Sequence, residues 1–196
     1  MDAKGITEKR MGPYSSRFRG MRRRPRLSAE FLRAETKRTL PIVVPVAGAG
    51  AFAAVAAIHS LAVDWPGWTT IGGVVGLLVA STLAEAFPLP IEGVAGTTSL
   101  AIVFIVATAA IYGWPESVLV GLVSITLVEA ERKRPPIRGI FNTGLYVSAA
   151  ALAGLAAEHW RGGGLWDIVI AGFLGSAAFY GVDMFLLSGV IARVRY

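Results

Sequence analysis

From Leu40 onward the chain alternates long apolar runs with short breaks rich in proline, glycine and charge. A helix needs about 20 apolar residues, rising 1.5 Å each, to cross a hydrocarbon core about 30 Å thick. On that measure the first run covers Leu40 to Val63 and closes at DWPGW, and the second covers Gly67 to Phe87 and stops at PLP. A third, shorter run goes from Thr97 to Gly113 and ends at WPE, and a fourth from Ser117 to Ala130 halts at ERKRPP. The fifth extends from Gly139 to Trp160, before RGGG, and the sixth from Trp166 to Ala192. The pattern predicts an all-α, polytopic transmembrane helix bundle of about six spans. The third and fourth runs are marginal in length. A re-entrant hairpin there, leaving four full spans, is the competing topology.

Charge sets the expected orientation. Twelve of the 19 Lys and Arg precede residue 39, so residues 1–38 read as a basic, weakly structured tail ahead of a transmembrane domain, 39–196. Its run RFRGMRRRPR, with Arg22, Arg23, Arg24 and Arg26, could neutralise nucleic-acid phosphates. Because a spanning segment follows at once, anionic lipid headgroups are the better match, and nucleic acid is not the expected partner. The basic loop with Arg132, Lys133, Arg134 and Arg138 reads the same way. With the tail inside, an even number of spans leaves Arg161 alone outside and 18 of 19 basic residues on the cytoplasmic face. Both termini are then cytoplasmic, in the inner membrane of a bacterium. All five tryptophans, Trp65, Trp68, Trp114, Trp160 and Trp166, fall at outer ends, at headgroup depth. The first run lies too far in and is too long for a cleaved signal, so it reads as a retained anchor. Met11 and Met21 are alternative starts.

Composition removes whole classes of chemistry. Hydrophobic residues make up 54% and charged ones 16%, where soluble domains usually carry about a quarter charged. No cysteine is present, which excludes thiolate metal sites, thiol nucleophiles and disulfides. Two histidines, His59 and His159, both near outer ends, cannot build a site needing several imidazoles. No phosphate-binding Gly-rich loop with its lysine, zinc-protease pair or nucleophile elbow occurs. The chain is expected to be neither an enzyme by itself nor dependent on a cofactor.

Ionisable and amide groups within the runs are the remaining candidates, because each costs several kcal/mol in lipid unless paired or wet. His59 lies close enough to the surface for water, and Glu85 close enough to snorkel. Glu129 and Glu131 can pair locally with Arg132, Lys133 and Arg134. Asp183, two-thirds through the sixth run, has Tyr180 one turn earlier. Asn142, in the fifth, has Tyr146 four residues on and therefore on the same face. If the fifth and sixth helices are antiparallel neighbours, Asn142 and Asp183 form a polar clamp; a small-ligand or proton site is the sharper alternative. Small residues recur on the fifth run (Gly144, Ser148, Ala151, Gly154) and on the sixth (Gly172, Gly175, Ser176, Gly181). Close packing of small faces holds helices together in lipid, within one bundle or in a homodimer.

The stretch FPLPIEGVAGTTSLAIVFIVATAAIYGWPESVLVGLVS, followed by ERKRPPIRGIFNTGLYVSAAALAG, carries a recognisable order. A polar lead-in with Thr98 and Ser99 precedes a Trp114-Pro115 break, then a basic proline-containing loop and a Phe141-Asn142 pair opening the next run. It resembles the N-terminal multi-helix membrane region of bacterial signalling proteins with cytoplasmic HD-GYP phosphohydrolase or GGDEF cyclase domains. The sequence departs from that pattern at Asp183, where an uncharged amide is expected, and carries no HD-GYP or GGDEF motif. The resemblance implies a sensory or anchoring membrane module whose catalytic domain lies outside this chain. The compact layout also resembles the substrate-binding membrane components of energy-coupling-factor vitamin transporters. That likeness implies a partner ATPase and a small-molecule pocket opening outward among His59, Trp65, Trp114 and Trp160.

Overall fold

The computed structural model describes residues 29–90, 97–132, 135–160 and 164–195. The chain divides into Met1–Ala34 and Glu35–Tyr196, and apart from the start of the first helix all that follows concerns the second unit. Arg22, Arg23, Arg24 and Arg26 of the tail, and Lys133 and Arg134 of the basic loop, lie outside the described residues.

Six α-helices account for nearly all the described chain: α1 (Ala29–Val63), α2 (Trp68–Ala86), α3 (Ala101–Ile111), α4 (Trp114–Glu131), α5 (Pro136–Ala157) and α6 (Leu165–Arg195). A single 3-10 turn, Glu158–Trp160, follows α5. Among the described residues, four stretches are long and apolar enough to cross a membrane: Thr39–Val63, Trp68–Ala86, Pro136–Trp160 and Leu165–Gly189. The helix of the first continues through Pro41 and Pro45. Each proline removes one backbone donor, which an otherwise self-bonded helix in lipid tolerates.

The third run is shorter as a helix than its sequence suggests. Thr97–Thr98 leave the helical path and pair antiparallel with Leu89–Pro90. Ser99 then fixes the entry to α3, its hydroxyl accepting from the Ala101 amide at 3.1 Å and donating to the Ala84 carbonyl at 3.4 Å. Only 11 residues remain helical, about 16 Å of rise. The fourth is longer than expected, since Trp114 and Pro115 open α4, where the missing proline amide costs no helical bond. Between them Gly113 turns the chain with φ of 129°, a conformation that favours glycine.

Successive helices run antiparallel. Tyr112, at the end of α3, packs against Gly73 near the start of α2, while Ser99 sits beside Ala84 at the opposite end. Ser117 of α4 bonds to the Ala150 carbonyl of α5 at 3.1 Å. Ala153 of α5 lies against Gly175 of α6, and Tyr146 against Phe179. The α1–α2 and α5–α6 connections therefore share one end with Trp65, Trp68, Trp160 and Trp166. The α2–α3 and α4–α5 connections share the other.

The interior belongs to the α3–α4 hairpin. Ile105 and Val106 of α3 and Val118 and Val120 of α4 are buried with Val147 and Ala150 of α5 and Phe179 of α6. Polar groups on α4 find protein rather than lipid. Ser124 accepts a hydrogen bond from Ser81 of α2 at 3.2 Å, and Ser117 is fully buried. Glycines set the closest approaches. A Cβ on Gly50 of α1 would lie 2.6 Å from the Gly144 Cα of α5, and one on Gly154 would lie 2.4 Å from the Trp114 Cα. Trp114 is thus partly buried in the bundle, one turn inside the end where the other tryptophans are found. Gly144, Gly154 and Gly175 pack within the bundle, whereas a Cβ on Gly172 or Gly181 would meet nothing within 4 Å.

Candidate functional site

At the end of the bundle carrying the basic loop, ionisable side chains from α2, the end of α4, α5 and α6 converge. Glu85, on the last turn of α2, is 8% exposed. Arg132, the residue after α4, donates from Nη1 to Glu85 Oε1 at 3.0 Å. Its Nη2 donates to the Glu85 backbone carbonyl, so one guanidinium holds both the side chain and the main chain of this turn. Glu85 Oε2 is buried with no hydrogen-bond partner. The sequence assigns Arg132 to the lipid surface and Glu85 to snorkelling, but the structure turns the two onto each other. Arg138, on the first turn of α5, is exposed, as a headgroup contact requires.

Asn142 and Tyr146 share a face of α5, and α5 and α6 are antiparallel neighbours. The amide of Asn142 nevertheless donates to Glu129 Oε1 of α4 at 2.9 Å, rather than to Asp183. A helix face three or four residues wide meets two neighbours at once, and Asn142 turns toward α4. Tyr146 turns toward α6, its ring edge-on to Phe179 with centroids 5.6 Å apart. There its hydroxyl lies within electrostatic reach of Asp183, Tyr180, Glu85 and Arg132. Three of the four candidate residues, Tyr146, Tyr180 and Asp183, therefore share one neighbourhood, and Asn142 joins it through a different partner.

Beside this cluster, α1, α4 and α5 leave a groove of about 520 Å³. The Gly50–Gly144 approach forms one flank, where two backbones nearly touch. Ala54, Leu122 and Val147 line its deeper part, and Thr126, Thr143 and Glu129 supply its polar groups. Among the described residues no group of three His, Asp or Glu is placed to hold a metal.

The Glu85–Arg132 pair was within reach of the sequence. The alternation of spans already places PLP and ERKRPP at the same end, so an acidic residue just before one break and a basic residue just inside the other are natural partners. What the sequence does not contain is that α2 and α4 are neighbours. No protein-family model matches the chain, and neither a curated protein nor a solved structure matches it.

Proposed function

We propose that the chain is an integral membrane sensory or anchoring module. A change in the bilayer, or a bound ligand, shifts the packing of its helices, and the basic loop after α4 reports the shift. The Glu85–Arg132 bridge carries this reading. It ties α2 to the first residue of that loop through a largely buried ion pair, so any rearrangement of the bundle end moves the loop. A two-state element of this kind responds only to a stimulus that distinguishes its states. The distribution of basic residues supports a cytoplasmic loop and cytoplasmic termini. An even number of crossings fits the alternation of the breaks, with α3 and α4 as an enclosed hairpin whose first arm, at 11 residues, is short of a full span. The likeness to the membrane regions of HD-GYP and GGDEF proteins supports a signalling domain as the partner, and the exposed Arg138 with the basic tail suits the anionic lipid of an inner bacterial membrane.

The native chain has no cysteine, so one engineered thiol labels a single site. Arg138→Cys, carrying an environment-sensitive fluorophore, is expected to shift its emission between bilayers of thin and thick lipid. The shift is expected to vanish when Arg132→Gln is added. An emission identical in every bilayer, with the native bridge intact, rules the sensory reading out.

The vitamin-uptake alternative has the groove in its favour as a small-molecule volume. That groove lies at the basic end, however, and Trp114 is packed inward instead of lining an outer pocket, which makes this the weaker reading. Thermal-shift screening against vitamins and nucleobases tests it, and a uniform lack of stabilisation counts against it.

A further inference from the structure

Among the described residues, no hydrogen bond or ion pair reaches the carboxylate of Asp183. Arg132, the cation of its neighbourhood, is engaged by Glu85 through both the side chain and the main chain. Nor does Asp183 stand at the end of its helix. It lies six residues before Gly189, where the apolar stretch of α6 stops, and so about 9 Å inside that end along the axis. A carboxylate at such a depth is costly in lipid unless a counter-charge or water meets it.

Its place on the helix shows from which side a counter-charge can come. Ala171, Gly175 and Phe179 form the buried line of α6, set against α3 and α5. Gly172, Ser176 and Asp183, spaced four and seven residues apart, make the next stripe around, and each is half-buried. Beyond them Tyr180 and Met184 are exposed. Asp183 therefore sits at the margin between protein and lipid, within reach of a helix lying alongside. A Cβ on Gly172 would meet nothing within 4 Å, and small residues let a second backbone come close. The ring of Tyr180, one turn before the carboxylate, offers a cation its π-face.

A second copy of the chain has no cation to bring. No Lys or Arg occurs between Thr39 and Glu131, between Gly139 and Trp160, or between Leu165 and Ala192. Self-association along this stripe would set Asp183 beside another carboxylate or an apolar wall. We infer that the Gly172–Ser176–Asp183 stripe of α6 is a docking surface for a transmembrane helix of another protein. That helix carries a Lys or Arg about 9 Å inside the same membrane face, level with Asp183. This deepens the anchoring reading, on which it rests for the partner's role, by naming the chemistry that recruits the partner.

The test uses the full chain in phosphatidylcholine vesicles, with a donor fluorophore on Asp64→Cys. The probe is a leucine–alanine transmembrane peptide of about 24 residues, with one lysine about six residues from its end and an acceptor fluorophore. A twin peptide has leucine in place of the lysine. Energy transfer is expected to saturate at about tenfold lower density for the lysine peptide, the size of one interhelical polar contact. Asp183→Asn, which keeps the size and removes the charge, should abolish that preference, and Asp183→Glu should keep it. Gly172→Leu, which fills the open stripe, should weaken both peptides without lowering thermal stability. A cysteine midway along the lysine peptide is expected to form a disulfide with Ser176→Cys, and not with Val79→Cys on the exposed face of α2.

Equal binding of the two peptides overturns the proposal. So does an unchanged preference in Asp183→Asn, or equal disulfide formation at both positions. Tighter association between copies of the chain than with the lysine peptide means that a second copy fills the stripe. A preference that disappears in phosphatidylethanolamine vesicles means that a lipid amine already meets Asp183. Either result overturns it too. The loop probe on Arg138→Cys separates this surface from sensing. Docking with a silent loop leaves the surface standing and removes sensing, and a bilayer-dependent loop signal without docking does the reverse.

Discussion

At the scale of the residue, the informative positions are the charges that lipid cannot solvate. Glu85 depends on Arg132. Replacing Arg132 with Met leaves a carboxylate at 8% exposure without its cation, and losing one partner of a buried pair costs roughly 3–5 kcal/mol. Because the Arg132 side chain is 22% exposed, the lower end of that range, about 3 kcal/mol, is expected. The double variant Glu85→Leu/Arg132→Met should recover most of the loss, since an apolar pair of similar size has no charge to strand. Reversible unfolding in mixed micelles measures both. A double variant no more stable than the single one would show that the bridge does not act as a pair. The sequence made Asp183, Tyr180 and Tyr146 visible as candidates because polar groups stand out against apolar runs. It paired Asn142 with Asp183, whereas the amide meets Glu129, because the direction a side chain takes from a helix depends on which neighbour lies on each flank.

At the scale of the element, the lengths of the apolar runs revealed six helices and placed the four long apolar stretches within a few residues, although α1 itself begins earlier, at Ala29, inside the stretch read as a weakly structured tail. It misplaced the ends of α3 and α4 for local reasons. Thr97, Thr98 and Ser99 prefer a strand pair and a hydroxyl cap to another helical turn, while Trp114 and Pro115, read from sequence as a break, open α4 directly after the turn at Gly113. Hydropathy also cannot tell a helix wrapped in lipid from one wrapped in protein, so the enclosure of α3 and α4 left no trace in it. Glycine counts have the same ambiguity, and the structure resolves it by contact. Gly50→Ala would drive a Cβ into the Gly144 backbone and is expected to cost about 1–3 kcal/mol by forcing α1 off α5. Gly76→Ala, on the open face of α2 with nothing within 4 Å, should be neutral or stabilising by up to about 1 kcal/mol. Thermal denaturation of the two variants side by side checks the contrast. Similar losses from both would place a partner against α2.

At the scale of the whole molecule, the two ends of the bundle are chemically distinct: tryptophans with the acidic Asp64, Glu158 and Asp167 at one, the Glu85–Arg132 bridge, Glu129 and Arg138 at the other. That polarity was legible in the sequence, because it needs only the order of the breaks. Asp64 and Arg138 are exposed at opposite ends, so Asp64→Cys and Arg138→Cys define the orientation. An impermeant maleimide is expected to label Asp64→Cys in intact spheroplasts and Arg138→Cys only after lysis. Labelling of both from the same side would break the alternation of crossings. Extraction with alkaline carbonate should leave the protein in the membrane fraction, as four long apolar helices require.

The bridge between Glu85 and Arg132 also has a consequence for how the protein is made. The two residues are 47 positions apart, so the ribosome delivers α2 well before its counter-ion exists. A carboxylate or guanidinium at the centre of a lone helix opposes insertion by about 2.5–3.5 kcal/mol, and less toward its end. Until α4 emerges, Glu85 must keep to the aqueous margin. The last turn of α2 then settles into place only when synthesis reaches Arg132, which makes its final seating a post-insertion event timed by translation.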